Sequence, residues 1–537
     1  SARLGGADGL GAGDVSFVLA LVVAGVSGFI ALSYEIVWYR VIAYESWGLP
    51  GAFGLLLAAY LLGLAIGSRI AGAFCKDDAQ SGDKRQLRAL AIFALVANVV
   101  AWAVVPFFGL TAKTGGDWPA ALGLVVIAAG LLGAILPLVA HFGIPADDQA
   151  GQRLSYVYLA NIVGSAIGSL LTGFVFFDAW PLQTIGEVIA LVGLALVGSL
   201  VLLSDLTGGK RGAWLGGVAA VAVLLVVAAP RAYDRIWERL LYKQDFTPDT
   251  KFAEVIETKS GVITVTQDGT VYGGGAYDGR FNTSIVHDRN GIMRAYGIGA
   301  LHPAPKKILM IGLASGSWAT VIEHLPGLEH LTIVEINPGY TRLIEGHAEV
   351  RGVLHDPKVD IVIDDGRRWL NRHPGERFDV IVMNTTWHWR AHITDLLSVE
   401  FMQLARAHLL PGGLFYFNTT SSDDVQKTAA TVFPHSMRVY NFMAVSDAPL
   451  TFDKGRWEKT LGAFSFDGVP AIDRSTEGGQ KFFDDLVNYA DSINAPPESE
   501  GLEAGPSVLA RTSGATVITD DNMAAEWRKV LRLQDPP

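Results

Sequence analysis

The chain of 537 residues is poor in cysteine, in charge and in phosphate-holding motifs. It has one cysteine, Cys75. A single thiol excludes a disulfide framework and any zinc site built on cysteines, and it reads most simply as a small buried or interfacial hydrophobe. Only 18% of residues are charged, the net charge is −11, and no basic stripe is present. That balance excludes nucleic acid as a partner, because phosphate binding requires clustered Lys and Arg. Charge is also unevenly spread, with 11 Lys and Arg and 13 Asp and Glu in residues 1–230 against 31 and 40 in the remainder. The glycine loop GLASGS (312–317) lacks the full G-x-G-x-x-G pattern, and no Lys-Ser/Thr pair follows it. A pyrophosphate or triphosphate ligand is therefore disfavoured.

Half of the chain is hydrophobic, and its length implies more than one domain. Seven stretches, near 15–34, 51–70, 88–110, 119–141, 154–177, 182–204 and 213–229, are apolar over the roughly 20 residues that cross a bilayer core. Residues 1–230 are thus expected to form a helical domain whose partner is the lipid bilayer. The flank SARLGGADGLGAGD, with one Arg and two Asp, is unlike the basic start of a cleavable signal. Gly63 and Gly67, and Gly164, Gly168 and Gly173, recur at spacings that let helices approach closely. Glu35 and Asn161 are polar within or beside spans, which suits either interhelical hydrogen bonding or the lining of a polar cavity. Loop charges conflict with the span count. Arg3, the basic 69–88 loop, Arg153, Lys210 and Arg211 fall on one side, which the positive-inside rule makes cytoplasmic. Seven spans would then put everything after residue 230 outside.

From residue 252 the periodicity changes. Residues 231–303 read as a linker and a small antiparallel sheet, from the alternation in AEVIETKSGVITVTQDGTVYGGGAYDGRFNTSIV. In 304–537 strand-like runs (ILMIG, LTIVEI, VDIVIDD, FDVIVMN, GLFYFNT) alternate with helical patterns at 317–325, 338–347, 366–372 and 398–409. Such alternation predicts a Rossmann-like, doubly wound and mainly parallel sheet with ligands at the strand carboxyl ends.

Candidate ligand groups stand at those ends. Gly312 and Gly316 would let the backbone pass close to a ligand. Glu335, about 20 residues on, is placed to accept both hydroxyls of a ribose. Asp364 and Asp365, followed by Gly366, suit an exocyclic amine, although Asp at a helix start is equally a cap. Three such ends in order point to a nucleoside without phosphates. The fourth run ends in VMNTTWHWR (382–390), where an ionisable group is expected and Asn384 stands instead. His388 titrates near neutral pH. Trp387 and Trp389 are rings able to stack on a cation or shield one from water, and the bland reading of His388 is an ordinary surface or core residue. Arg390 suits an anionic or zwitterionic group.

With these motifs assembled, the chain resembles the membrane-fused bacterial spermidine synthases, the polyamine aminopropyltransferase family. GFIALSYEIVWYR, GLAIGS and YLANIVGSAIGSLLTGF carry the resemblance in the apolar half, and YDGRFNT, MIGLASGS, VEINP, DDGRRWL, FDVIVMN, LLSVEFM, LLPGGLF and TDDNMAAEW carry it in the rest. It implies a decarboxylated S-adenosylmethionine co-substrate, release of methylthioadenosine, no metal, and a small-molecule acceptor; a homodimer is compatible with it. By position, Gly312, Gly316 and Gly366 would border the nucleoside, Glu335 would bind ribose, and Asp365, with Asp364 beside it, the adenine amine. Asp278 and Asn282 would close the site from the small sheet, Asp278 together with Asn384 and His388 forming the catalytic group. Ser315 stands where the family has an Asp that holds the aminopropyl ammonium, so S-adenosylmethionine itself, with its carboxylate, is expected to be tolerated. NGI (290–292) replaces a diamine-holding Tyr-His-Glu, and NTTWH replaces Asp-Ser-Ser-Asp-Pro, so both acids that receive the amine are gone. Asp520 and Asp521 would lie near the site.

The resulting expectation is a membrane-bound transferase of spermidine synthase type. It would act on a non-standard acceptor or cleave its own co-substrate. The rivals are a methyltransferase, a nucleoside sensor and a transporter. A bacterial inner-membrane location with a cytoplasmic catalytic domain follows from where S-adenosylmethionine is made, against the loop-charge count.

Overall fold

The computed structural model describes residues 12–75, 83–114, 118–144, 147–384, 387–493, 500–523 and 526. Arg3, Lys76, Thr385 and Thr386, together with Ala524, Ala525 and Trp527 of the TDDNMAAEW segment, lie outside them. Two compact units emerge, one of residues 1–46 and 52–251, the other of residues 47–51 and 252–537.

Among its described residues the first unit contains seven helices long and apolar enough to span a membrane: α1 (Ala12–Glu45), α2 (Pro50–Phe74), α3 (Asp83–Lys113), α4 (Trp118–Gly143), α5 (Ala150–Leu171), α6 (Leu182–Leu203) and α7 (Gly208–Ala232). Several run well past the apolar stretches, because their ends carry the period into aromatic and charged residues. Small residues set the crossings. A Cβ on Gly164 would lie 1.9 Å from the Gly25 carbonyl oxygen, and one on Gly67 1.8 Å from that of Gly130, so α5 meets α1 and α2 meets α4 backbone to backbone. Gly63 and Gly168 are equally closed in, whereas Gly173 meets nothing within 4 Å and is not part of a crossing. Asn161 of α5 donates from Nδ2 to the Ala24 carbonyl of α1 at 3.0 Å, which makes it interhelical hydrogen bonding.

The second unit opens with the antiparallel sheet β1 (Glu254–Thr258), β2 (Gly261–Val265), β3 (Thr270–Gly273) and β4 (Ala276–Arg280). The main sheet follows: β5 (Lys307–Ile311), β6 (His330–Glu335), β7 (Val359–Ile363), β8 (Phe378–Met383), β9 (Leu409–Asn418), β10 (His435–Val439) and β11 (Phe442–Ser446). A two-stranded ribbon, β12 (Ser465–Phe466) with β13 (Val469–Pro470), is separate, and β14 (Leu502–Ala504) completes the main sheet in the order 14-10-11-9-8-5-6-7. Strands β5 to β9 run parallel to one another, and the pairings of β11 with β9, β10 with β11 and β14 with β10 are antiparallel, β10, β11 and β14 forming one flank. Alternation along β5 puts Ile308 and Met310 in the core on one face and Leu309 and Ile311 in the core on the other. The strand order reverses between β5 and β8, and in a doubly wound sheet the crevice outside that point is where ligands bind.

Candidate active site

A cavity of about 270 Å³ opens at the carboxyl ends of β5, β6, β7 and β8. Its wall includes Gly312 after β5, Glu335 at the end of β6, Asp364, Asp365 and Gly366 after β7, and Asn384 and Arg390 after β8. Asp278 of β4 closes it from the small sheet.

Each of these groups is held by its turn. Gly312 has φ +88°, and a Cβ there would stand 3.7 Å from the Asn384 carbonyl, so the backbones after β5 and β8 face each other closely. Glu335 is buried; its Oε2 accepts the Leu313 N–H and its Oε1 the Asn337 N–H, both at 2.7 Å. Burial pushes its carboxyl up to about 7, against the pull of those backbone donors. Asp365 caps the helix Gly366–Arg372 by accepting from the Arg368 N–H at 2.7 Å, so its structural reading holds whatever it binds. Asp364 pairs with Arg368 and, at 3.7 Å, with Arg372. Burial acts to raise its carboxyl, but those guanidiniums and the Asp365 N–H outweigh it and hold it below the usual range.

Asp278 is raised above the ordinary carboxylate range by burial, opposed by the Tyr340 hydroxyl that donates to it and by the nearby Arg390 charge. Tyr340 also lines the cavity, and it was not singled out from the sequence. It sits one residue into the helix Gly339–Glu345, directly after VEINP, so the signal was its position in the turn after β6. The floor adds Ser260, Gly261, Gly273 and Gly274 of the small sheet, and Ile393 and Leu396 supply an apolar side. None of these had a sequence signal beyond the glycines.

Other expected residues are elsewhere. Asn282 is buried but spends its amide on its own loop, donating to the Ser284 and His287 carbonyls at 3.2 Å and accepting from the Arg289 N–H at 2.9 Å. It therefore does not close the cavity. Ser315 donates to the Arg280 carbonyl at 3.1 Å, and Gly316 (φ +78°) packs on Ile344, so both shape the loop from behind rather than line the cavity. The His388 ring bonds through Nδ1 to Thr420 Oγ1 at 2.6 Å, and Trp387 stacks on Trp389 with centroids 6.2 Å apart. None of the three is in the cavity wall, and Trp389 is 3% exposed. Of the residues foreseen in 387–390, Arg390 alone lines the cavity. Asp520 bridges to Arg367 at 2.5 Å and does not reach the cavity either. Among the described residues no group of three or more His, Cys, Asp or Glu is arranged to hold a metal ion.

Residues 297–445 match the Spermine/spermidine synthase domain. The chain is 25% identical over 409 residues to a polyamine aminopropyltransferase of Mycobacterium tuberculosis, covering 71% of this chain and 73% of the relative. It is 27% identical over 347 residues to polyamine aminopropyltransferase 2 of Streptomyces coelicolor (60% of each), and 25% over 425 residues to polyamine aminopropyltransferase 2 of Ralstonia nicotianae (76% and 79%). The longest of these alignments exceeds everything from 231 to 537, so likeness extends into the apolar half. Among solved structures it is similar to the spermidine synthase of Thermotoga maritima, at 20% identity and TM-score 0.30 over 37% of this chain and 75% of that one. The chain thus carries a match to the Spermine/spermidine synthase domain over residues 297–445, is similar to polyamine aminopropyltransferases along most of its length, and has helices apolar enough to span a membrane.

Proposed function

We infer that this chain is a membrane-anchored, aminopropyltransferase-type enzyme that moves an alkyl group from an adenosyl sulfonium donor to an acceptor other than an ordinary diamine, releasing methylthioadenosine. The observation that carries this is the pairing, in one cavity, of a nucleoside end built from Gly312, Glu335, Asp364 and Asp365 with an acceptor end where Asn384 and Arg390 stand. The relatives' names support the reaction class, and the Asn384 end argues against a polycationic acceptor.

Sulfonium chemistry asks little of the protein. The leaving group is already activated, so orientation and exclusion of water supply much of the acceleration. Glu335 and Gly312 would fix the ribose, Asp365 with Asp364 the adenine amine, and Ile393 and Leu396 an apolar wall for the base. Asp278, oriented by Tyr340 and within reach of the Arg390 charge, is the group best suited to take the acceptor's proton. Intramolecular cleavage of the donor is a variant of the same step.

The seven helices support anchoring in a bilayer. An odd number of crossings puts the loop after α1 on the same side as everything after α7, and that loop, residues 47–51, clusters with the second unit. We place that side in the cytoplasm, where the donor is made, and protease access to a C-terminal tag in intact cells tests it. Incubating the full-length protein with S-adenosylmethionine or its decarboxylated form and analysing products tests the activity. Methylthioadenosine is expected. S-adenosylhomocysteine would make it a methyltransferase, and tight donor binding without turnover under an acceptor screen would make it a sensor.

A further inference from the structure

A chain of hydrogen bonds runs into the cavity wall from a buried cation. Arg294, in the short helix Met293–Tyr296, is buried, with its guanidinium carbon 4.8 Å from the ring centroid of Phe442, 5.2 Å from that of Tyr440 and 5.7 Å from that of Trp318. It donates to neutral oxygens: Nε to the Gly291 carbonyl at 2.7 Å, Nη2 to the Asn290 carbonyl at 2.8 Å, and Nη1 to Asn441 Oδ1. Gly291 has φ +60°, and a Cβ there would lie 2.5 Å from Nη2, so the NGI turn closes on the guanidinium as only glycine allows. From Asn441, in the turn between β10 and β11, Nδ2 donates to Asn418 Oδ1 at 3.2 Å. Asn418 in turn donates from Nδ2 to Asn384 Oδ1 at 3.1 Å, and Asn384 is in the cavity wall, where Arg294, Asn418 and Asn441 are not.

The chain has a direction, and a guanidinium is the group that sets it. An amide can be turned either way, but arginine only donates, so Asn441 must give it the carbonyl oxygen and turn the NH2 to Asn418. A reversed Asn441 would set its Oδ1 against Asn418 Oδ1. The Thr420 N–H, also a donor only, reaches that same Asn418 oxygen at 2.8 Å and supports the same sense. Each amide thus accepts on the Arg294 side and donates on the cavity side, and bonds aligned in series polarise one another. We propose that Arg294 is a positioning residue for the alkyl-transfer site, directing the Asn441–Asn418–Asn384 chain so that the wall offers a hydrogen-bond donor to the acceptor molecule. A donor pole binds a hydroxyl, carbonyl or carboxylate oxygen and opposes an ammonium, which has only hydrogens to present. The proposal rests on the alkyl-transfer reading above.

The test is a double-mutant cycle on the full chain in detergent or nanodiscs. Arg294→Met is made in the wild type, in Asn384→Ala and in Asn384→Asp. Methylthioadenosine release from S-adenosylmethionine and from its decarboxylated form is followed with aminobutanol, diaminobutane and water as acceptors, and methylthioadenosine affinity is measured beside it. With the fastest acceptor, Arg294→Met should slow release roughly three- to tenfold in the wild type and leave methylthioadenosine affinity unchanged. In Asn384→Ala the end of the chain is gone, and in Asn384→Asp both oxygens are alike, so Arg294→Met should change neither background further. Asn441→Asp gives Arg294 a carboxylate and turns an oxygen toward Asn418; it should reproduce the loss of rate with the fold intact, and it serves if Arg294→Met fails to fold. An equal loss in all three backgrounds, no loss in any, or a parallel loss of methylthioadenosine affinity overturns the proposal. Failure of the wild type to bind methylthioadenosine would overturn the nucleoside reading, and binding without release from either donor the transferase reading; the proposal falls with each.

Discussion

Asn418 donates from Nδ2 to Asn384 Oδ1 across 3.1 Å, joining the carboxyl ends of β9 and β8. The orientation of Asn418 is itself fixed, because its Oδ1 accepts the Thr420 N–H at 2.8 Å. Asn384 therefore presents its carbonyl oxygen to Asn418 and keeps its NH2 as the group that can donate to a bound molecule. A residue that reads as a lost acid in the sequence is, in the fold, an oriented hydrogen-bond donor.

Asn384→Asp preserves the acceptor for Asn418 while adding a charge to the cavity wall that also contains Arg390. Turnover with the native acceptor should fall by about tenfold, and cationic amines should become better acceptors. Asn384→Ala should fall further, roughly ten- to hundredfold, without that change in acceptor preference. Methylthioadenosine release across an amine panel measures both, and unchanged turnover in both variants removes Asn384 from the mechanism.

Glu335 gives a pH dependence with a defined sign. Its folded value of about 7 lies above the ordinary 4.5, so the protonated form favours the folded state. That contribution is fully present below 4.5 and is lost as pH rises through about 7. Melting temperatures of wild type minus Glu335→Gln should therefore decline across this window and level off above it. Nucleoside affinity runs the other way, since the ionised carboxylate is the better acceptor for ribose hydroxyls. Methylthioadenosine titrations from about pH 5 to about pH 8 should show affinity rising through about 7 in the wild type and flat in Glu335→Gln. A flat wild-type profile would separate Glu335 from the ribose.

Tyr340→Phe removes the donor to half-buried Asp278. Leaving that carboxyl with one partner fewer should cost about 1–3 kcal/mol of stability and shift it further toward the neutral form. Acceptor turnover should fall most below neutral pH, and methylthioadenosine affinity little. Equal losses in both would assign Tyr340 to the nucleoside end.

The helix crossings are tested by alanine. Gly164→Ala and Gly67→Ala each push a methyl group against a backbone carbonyl of the neighbouring helix, at a cost of about 1–3 kcal/mol. Gly173→Ala meets no atom within 4 Å and should leave the melting temperature in detergent unchanged or slightly raised. A neutral Gly164→Ala would mean that α5 does not meet α1 through this face.

The strand-end wall of the cavity was legible because strand, turn and helix repeat along the chain, and each turn exposes one or two fixed positions. Gly312, Glu335, Asp364 and Asp365 all follow that rule. The part of the wall that follows β8 was not legible in the same way. In 387–390 the chain turns, side-chain periodicity is lost, and neighbours point apart: Trp389 inward, the His388 ring to Thr420, and Arg390 alone into the cavity. Asn282 and Ser315 failed for a related reason, since short polar side chains beside turns are captured by nearby backbone groups before they can serve a ligand.

By itself the sequence determined the two-part architecture, because spans of about 20 apolar residues and alternating strand and helix periods are local properties of the chain. It also determined which groups stand at strand termini and so line the cavity. The tertiary structure alone decided which polar groups are already spent, which glycines touch a neighbouring backbone, and that Tyr340, Asp278 and Arg390 meet in one cavity. Those outcomes depend on distances between segments far apart in the chain, and no local pattern encodes them.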